Sequence, residues 1–427
     1  MAAALANATP QDLLPARRAD ESARVELPWI LVAHVDLGPS HVPGSRAHLV
    51  VVEDGRGERF GIPAVIDGGC LRRARPGDGV GEALLSAIVM GVAPDGLAIE
   101  GFPPFEPLAG ERAFDVDQTN DLVVVGERAV VKWFLHPTED EQPAPARLAA
   151  LARAGFDGTP RPWAIVRLAG ESSTALVATV VDYVPHTRDG WEWAVEEVRS
   201  FARSGGAPHA TWVRDLGVLV AGMHAALLAS GTREVTRDEV QGWYALAVSD
   251  LERAALNEFD GQRALGLLSG IQECTRTLVM GVHNDLHIGQ ILRSDSTGKY
   301  FIIDFDGNPT LSPSDRLLSQ PTARDVAGMM ASLDHVGRVV LHRTDDLDHD
   351  QRQRVLDWIE DAQVTFLDSY QLALKQGGHP DLLDDRLVLP FQLQQECREY
   401  AYAERYLPHW RYVPDAALPA LLNRGHL

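Results

Sequence analysis

The chain has 427 residues, more than one hydrophobic core usually organises, so two or three structural units are expected. Hydrophobic residues make up 45% and charged ones 23%, an ordinary globular balance that argues against extensive disorder. Against 39 Lys and Arg stand 60 acids, a formal net charge of -21 that disfavours the polyanions nucleic acid and anionic lipid; it suits a cationic ligand or simply an acidic, soluble surface. Cys70, Cys274 and Cys397 lie far apart without Cys-x-x-Cys spacing, so neither a disulfide framework nor a thiolate zinc site is indicated, and a cytoplasmic location is expected. The opening M-A-A-A-L-A-N-A-T-P-Q-D lacks the early cation and apolar run of a secretory signal. No apolar stretch reads as approaching the roughly 20 residues that cross a bilayer.

In chain order, about the first hundred residues read as short strands and turns. Residues 25–37 are strand-like, 48–53 are β-branched, and Gly55, Gly57, Gly68 and Gly69 punctuate turns. A helix is expected at 81–90. The three prolines of 101–110 resemble a linker, which places a boundary near residue 110. Beyond it, 122–125 and 129–134 flank Gly126-Glu127-Arg128 as a hairpin, 143–154 is an Ala-rich helix, and 174–183 is a long β-run. From Asp189 onward helical periodicity dominates, at 191–202, 210–228, 237–256 and 262–276. A strand pair, 277–282 with 300–303, interrupts before more helices. The expected division is a cap at 1–110, a small mixed lobe at 111–184 and a mostly helical large lobe at 185–427.

The chemistry concentrates in G-V-H-N-D-L-H-I-G-Q-I-L-R-S-D-S-T-G-K-Y-F-I-I-D-F-D-G-N-P, residues 281–309. Its strand ends carry Asp285, Asp304 and Asp306, with His283, His287 and Gln290. Phosphoryl transfer needs this assortment, because catalysis there is positioning plus charge neutralisation. One carboxylate accepts the hydroxyl proton. Another carboxylate and a neutral oxygen hold magnesium, which prefers hard oxygen donors.

H-N-D-L-H-I-G-Q-I-L, followed fourteen residues after Gln290 by I-D-F-D-G-N-P, resembles the catalytic and metal loops of the aminoglycoside-phosphotransferase-like kinases. Within them it is most similar to the actinobacterial maltokinases and glucosamine kinases. The resemblance implies an α+β, bilobal, eukaryotic-protein-kinase-like fold with an N-terminal cap subdomain, and it implies ATP and Mg2+ as cofactors. It makes Asp285 the base and Gln290 and Asp304 the metal ligands; Asp285 and Gln290 share the five-residue spacing of the protein-kinase catalytic loop. Lys132, in A-V-V-K-W-F, takes the place of the strand lysine that pairs with the ATP phosphates. Gln118, Thr119 and Asn120 occupy the phosphate-covering turn without a G-x-G-x-x-G. The 143–154 helix holds no acid to partner the lysine, leaving Glu139 and Glu141 as candidates. Val181, Asp182, Tyr183 and Val184 match the adenine hinge, and 187–193 also resembles the maltokinase group. Residues 324–335 resemble the helix beneath the catalytic loop, where Asp325 would anchor loop amides.

The acceptor is read from 390–410. Pro390 suits a first helical turn and Pro408 ends the helix. Stepping about 100° per residue from Tyr400, Leu393, Ala403 and Leu407 define a buried stripe, and Glu396 and Glu404 fall about 40° to either side, while Arg398 and Arg405 point away. Two inward carboxylates need partners. These are either protein cations or the hydroxyls and ammonium of a sugar, with Trp410 stacking on its ring. The Y-L-P-x-W ending resembles the glucosamine kinases, which implies ATP-dependent phosphorylation of D-glucosamine at the 6-hydroxyl, with His287 and Asp306 also facing substrate. Alternatives are a maltokinase forming maltose 1-phosphate, an aminoglycoside phosphotransferase, and a nucleotide-binding pseudokinase. The expected partner is a small amino sugar, with neither nucleic acid nor membrane, and the chain is expected to act as a monomer.

Overall fold

The computed structural model describes residues 1–15, 22–114, 121–137, 142–169, 174–205, 210–274 and 276–424. Gln118, Thr119, Asn120, Glu139 and Glu141 lie outside the described residues. The chain forms two compact units, one of Met1–Pro145 with Pro160–Pro185, the other of Ala146–Thr159 with His186–Leu427.

In the first unit, β1 (Ile30–Pro39), β2 (Arg46–Glu53), β3 (Arg59–Asp67) and β4 (Cys70–Arg73) form an antiparallel sheet in that order. β1 shows the two-residue period of a half-covered strand, with Val35 and Leu37 buried and His34 and Asp36 exposed. The second sheet has the order β5-β9-β10-β8-β7-β6, built from Leu97–Gly101 (β5), Glu111–Ala113 (β6), Asp121–Val125 (β7), Ala129–Trp133 (β8), Pro162–Ala169 (β9) and Thr174–Asp182 (β10). The expected hairpin is β7–β8, turning at Gly126-Glu127-Arg128.

The expected boundary near residue 110 does not separate two bodies. β5 precedes it yet pairs with β9. Val35, Leu49 and Val65 from the first sheet, Leu84 and Ile88 from the helix Val80–Met90, and Val131, Trp163 and Val180 from the second sheet share one buried core. The prolines of 101–110 mark an irregular connection inside one unit. Proline signals a break in hydrogen bonding, not a break in burial.

The second unit is mostly helical. The helix Ala323–Arg343 is its centre, packed by Val388–Tyr406, His349–Gln376, Tyr412–Arg424 and Gly190–Ser204. Its first fifteen or so residues are almost wholly buried, so its polar members have specific work. The expected pairing of 277–282 with 300–303 is not found. Leu278–Met280 (β13) pairs with Thr232–Glu234 (β12), while Tyr300–Ile302 (β15) pairs with Ile291–Ser294 (β14), which also meets Thr187–Arg188 (β11). The 291–302 hairpin closes the shorter loop, which costs less chain entropy.

One expectation about membranes also needs correction. Thr211–Ser230 is 20 residues long with mean hydropathy 1.3, enough to cross a bilayer by length and composition. In this structure half of that segment is buried, packed lengthwise on His349–Gln376, which makes it a core helix.

Candidate active site

The loop at 281–290 is held from beneath by one face of the Ala323–Arg343 helix. Asp325 accepts the His283 and Asn284 amides, both at 2.7 Å. Ser332 Oγ accepts the Ile288 amide at 2.9 Å. Gly328 lies against the Leu286 carbonyl, where an added Cβ would come within 2.7 Å of the oxygen. Residues 325, 328 and 332 recur at helical spacing, so one stripe grips the whole loop. From the opposite side Gly190 opens the helix Gly190–Ser204, and a Cβ there would sit 1.7 Å from the Ile288 carbonyl oxygen. Asp325 is itself fully buried, which alone would raise its pKa. His224, 3.0 Å away, and the loop amides overcome that and hold it below the usual carboxylate range. The anchoring role expected for Asp325 is what the structure contains.

This loop and the one that follows β15 each hold a residue in strained backbone. Asn284 (φ 64°) and Asp304 (φ 62°) both occupy the left-handed region, uncommon for residues other than glycine and concentrated at functional sites. Burial, then the charges of Asp304, Glu399 and Asp325, push the Asp285 carboxyl up to about 7, with Arg398 opposing. Such a group takes a proton readily near neutral pH. His283 is fully buried and kept neutral by that burial; its Nε2 meets the Ile303 carbonyl at 2.9 Å. Its Nδ1 and the Asn284 Nδ2 have no hydrogen-bond partner among the described residues.

His287 serves the loop. Its Nδ1 accepts the Gly289 amide at 3.1 Å, and burial, then His283 and His335, lower its pKa to about 4. A neutral ring with Nδ1 accepting carries its proton on Nε2, 3.4 Å from the Gln290 carboxamide, which then turns its oxygen toward the ring. His287 is thus engaged with the Gly289 amide and lies beside Gln290. Asp304 is exposed and Asp306 half-buried.

No group of three or more His, Cys, Asp or Glu among the described residues could cage a metal. Magnesium does not require one: it is held through one or two carboxylates, with phosphate and water completing its shell. The oxygen donors Gln290 and Asp304 fit that habit, and the unpartnered Asn284 donor suits an anionic or hydroxyl oxygen.

The nucleotide-binding candidates of the first unit sit on its second sheet. Lys132 is on β8 opposite Thr179, with Nζ 5.4 Å from the Phe134 ring centroid. Val181 and Asp182 end β10, and Tyr183 and Val184 follow it. The Asp182 amide donates to Arg161 O and the Tyr183 amide to Arg128 O, at 2.8 and 2.7 Å. The Asp182 carboxylate accepts the Trp163 indole N–H. Two amides of the expected hinge are thus already engaged, so an adenine would have to use other backbone atoms.

On the acceptor helix the expectations divide. Glu396 is buried, and both its oxygens face His335 Nε2, at 2.9 and 3.1 Å. Burial opposes charge on that imidazole, but Glu396 prevails and pushes its pKa up to about 9. The inward carboxylate has a protein cation as partner. Glu404 is exposed and pairs with Arg411 at 3.1 Å, because the helix has left the packed core by its last turn. Arg398, expected to point outward, instead reaches the buried Asp250 at 2.8 Å. Trp410 is half-buried and meets Trp191 edge to face, with ring centroids 5.7 Å apart. Trp191 in turn lies over Gly289, where an added Cβ would be 2.9 Å from its ring.

Three functional candidates escaped the sequence reading. Glu399 is half-exposed, accepts from Gln395 at 3.1 Å, and is close enough to Asp285 to raise its pKa. It lies roughly 100° round the helix from Tyr400, at the rim of the buried stripe and not within it. Trp191 stands within the 187–193 segment but gave no signal of its own. Arg147 carried a signal that was missed: it interrupts the apolar run Ala144, Leu148 and Leu151 of the Pro143–Ala154 helix, which the structure buries.

No family model matches the chain. A glucosamine kinase of Streptacidiphilus jiangxiensis is 43% identical over 435 residues, spanning 98% of this chain and 97% of that protein. Another, from Mycolicibacterium smegmatis, is 39% identical over 379 residues, spanning 85% and 93%. A solved glucosamine kinase in complex with glucosamine, ADP and inorganic phosphate superimposes with a TM-score of 0.84 at 41% identity, covering 98% of each chain.

Proposed function

The chain belongs to the glucosamine kinase family and has the mixed α+β, aminoglycoside-phosphotransferase-like kinase fold, and on that premise we propose that it phosphorylates D-glucosamine with ATP at the 6-hydroxyl. The observation that carries the reading is Asp285, a half-buried carboxyl pushed up to about 7 on a loop pinned by Asp325 and Ser332. In the reaction the sugar oxygen forms a bond to the γ-phosphorus, the bond to ADP breaks, and the hydroxyl proton passes to Asp285.

Gln290 and Asp304 would hold magnesium, which neutralises phosphate charge when bound. Lys132 would pair with the nucleotide phosphates. The amine is assigned to Glu399, in place of Glu396 and Glu404. Those two have cations of their own, whereas Glu399 has a neutral carboxamide beside it and lies close enough to raise the Asp285 pKa. Trp191 and Trp410 would wall the apolar side of the pyranose.

The test is ADP release from glucosamine, glucose, maltose and kanamycin with purified protein, ATP and magnesium, followed by phosphorus NMR of the product. Glucosamine should lead by at least about tenfold, roughly 1.4 kcal/mol in kcat/KM, with phosphate on the 6-oxygen. A preference for maltose or kanamycin would sink the substrate, and a phosphate on the 1-oxygen would sink the position.

A further inference from the structure

Arg147 lies on the Pro143–Ala154 helix, is 4% exposed, and donates its hydrogen bonds to backbone carbonyls. One nitrogen, Nη1, donates to His283 O at 3.2 Å and to Phe305 O at 2.7 Å. The other, Nη2, donates to Arg316 O at 3.2 Å. His283 stands two residues before the base Asp285, and Phe305 directly follows the metal candidate Asp304. A single nitrogen therefore bridges the backbones of the two loops that carry the chemistry. Gly307, in the turn after Asp306, faces the same nitrogen, and an added Cβ there would approach it to 3.2 Å.

A buried guanidinium with carbonyl acceptors is an expensive way to stabilise a fold, since its charge must be compensated from a distance. Asp325 and Asp306 are the acids that support its charge. What it supplies in return is geometry. Its donors diverge in a fixed plane, so three carbonyls bound to it have a set spacing that a lysine ammonium on a flexible stem does not reproduce.

We propose that Arg147 is a positioning residue that fixes Asp304 relative to Asp285 and thereby sets how tightly the site takes magnesium. The inference rests on the reading of Asp304 as a metal ligand. Groups that orient metal ligands from outside change metal affinity by about 10- to 100-fold when removed.

The experiment is calorimetric titration of the full-length protein with ADP, with and without magnesium, for the parent, Arg147→Lys, Arg147→Met and Asp304→Ala. In Arg147→Lys the magnesium-free affinity should stay within about twofold, while the gain on adding magnesium shrinks about tenfold or more. Arg147→Met should shrink it at least as far. A purely structural role would lower the melting temperature and leave the magnesium gain unchanged, and that result in a folded Arg147→Lys overturns the proposal. Failure of both Arg147 variants to fold overturns it too. If Asp304→Ala abolishes the gain while Arg147→Lys keeps it, only the Arg147 assignment fails. A gain that survives in Asp304→Ala overturns the metal assignment as well.

Discussion

The loop at 281–290 and the helix Val388–Tyr406 both carry carboxylates, but they hold them in opposite ways. On the loop, Asp285 is surrounded by other acids and pushed toward neutrality, while the backbone around it is bound tightly by Asp325 and Ser332. On the helix, burial pushes the Glu396 carboxyl up as well, but there His335 pairs with it and opposes that rise, and Glu404 stands in solvent with Arg411. A carboxylate is free for chemistry when its energy is raised by its surroundings and its position is enforced by its neighbours' backbone. A carboxylate already matched to a cation has little left to offer a ligand. Glu399, beside the neutral Gln395 carboxamide, is the helix glutamate without a matched cation among the ion pairs of the described residues.

The largest expected effect breaks the contrast at its sharpest point. Asp285→Asn should lower kcat by about 10²-fold or more, since a positioned base contributes about 10² to 10⁴. The same change should stabilise the protein without ligand. The carboxyl titrates near 7 when folded, against an ordinary 3.8, so between those pH values the folded state holds a proton that the unfolded state has released. Stability therefore falls as pH rises through that window, and the asparagine variant escapes the penalty. Denaturant titration should show the variant more stable by about 2 kcal/mol at pH 8, with the gain gone near pH 4. A variant less stable than the parent at both pH values would show that Asp285 is a matched carboxylate like Glu396.

Next, Glu399→Gln should reduce the glucosamine-to-glucose ratio of kcat/KM by about 30-fold, the usual scale for a broken charge pair of 2 kcal/mol. Glu396→Gln should leave that ratio within about twofold, yet cost about 3 kcal/mol in stability by stranding the His335 cation. The His335 pKa lies near 9, above its ordinary 6.5, so the loss should be full below that ordinary value and fade as pH rises through 9. Selectivity that collapses in Glu396→Gln and survives in Glu399→Gln would reverse the two roles. The smallest effect belongs to Glu404→Gln, an exposed pair, for which thermal unfolding and selectivity should both stay within about 0.5 kcal/mol of the parent.

Local pattern carried much of this molecule. The hairpin at 121–133, the helix Pro143–Ala154 and the Asp285, Gln290 and Asp304 constellation were all legible. The first two lie within one element or one turn, and the third spans a single hairpin, where chain geometry ties spacing to position. Glu396 and Glu404 show where that ends. Helical periodicity assigned them an angle, but burial also depends on how far along its axis the helix stays packed. Only the arrangement of Val388–Tyr406 on Ala323–Arg343 places His335 beside one glutamate and solvent around the other.

By itself, the sequence carried the fold class and the family, because the short-range spacing of a carboxylate, a carboxamide and a second carboxylate resembles the catalytic and metal loops of that family. The tertiary structure decided the rest. It merged residues 1–110 into the first unit through a shared sheet and core, chose the partners of β13 and β15, and brought Arg147, Glu399 and Trp191 toward the loop they serve. Apart from the local β14–β15 hairpin, these join segments far apart in the chain, about 100 to 160 positions for Arg147, Glu399 and Trp191, and they are set by packing, whose free energy sums over many small terms that no local motif records.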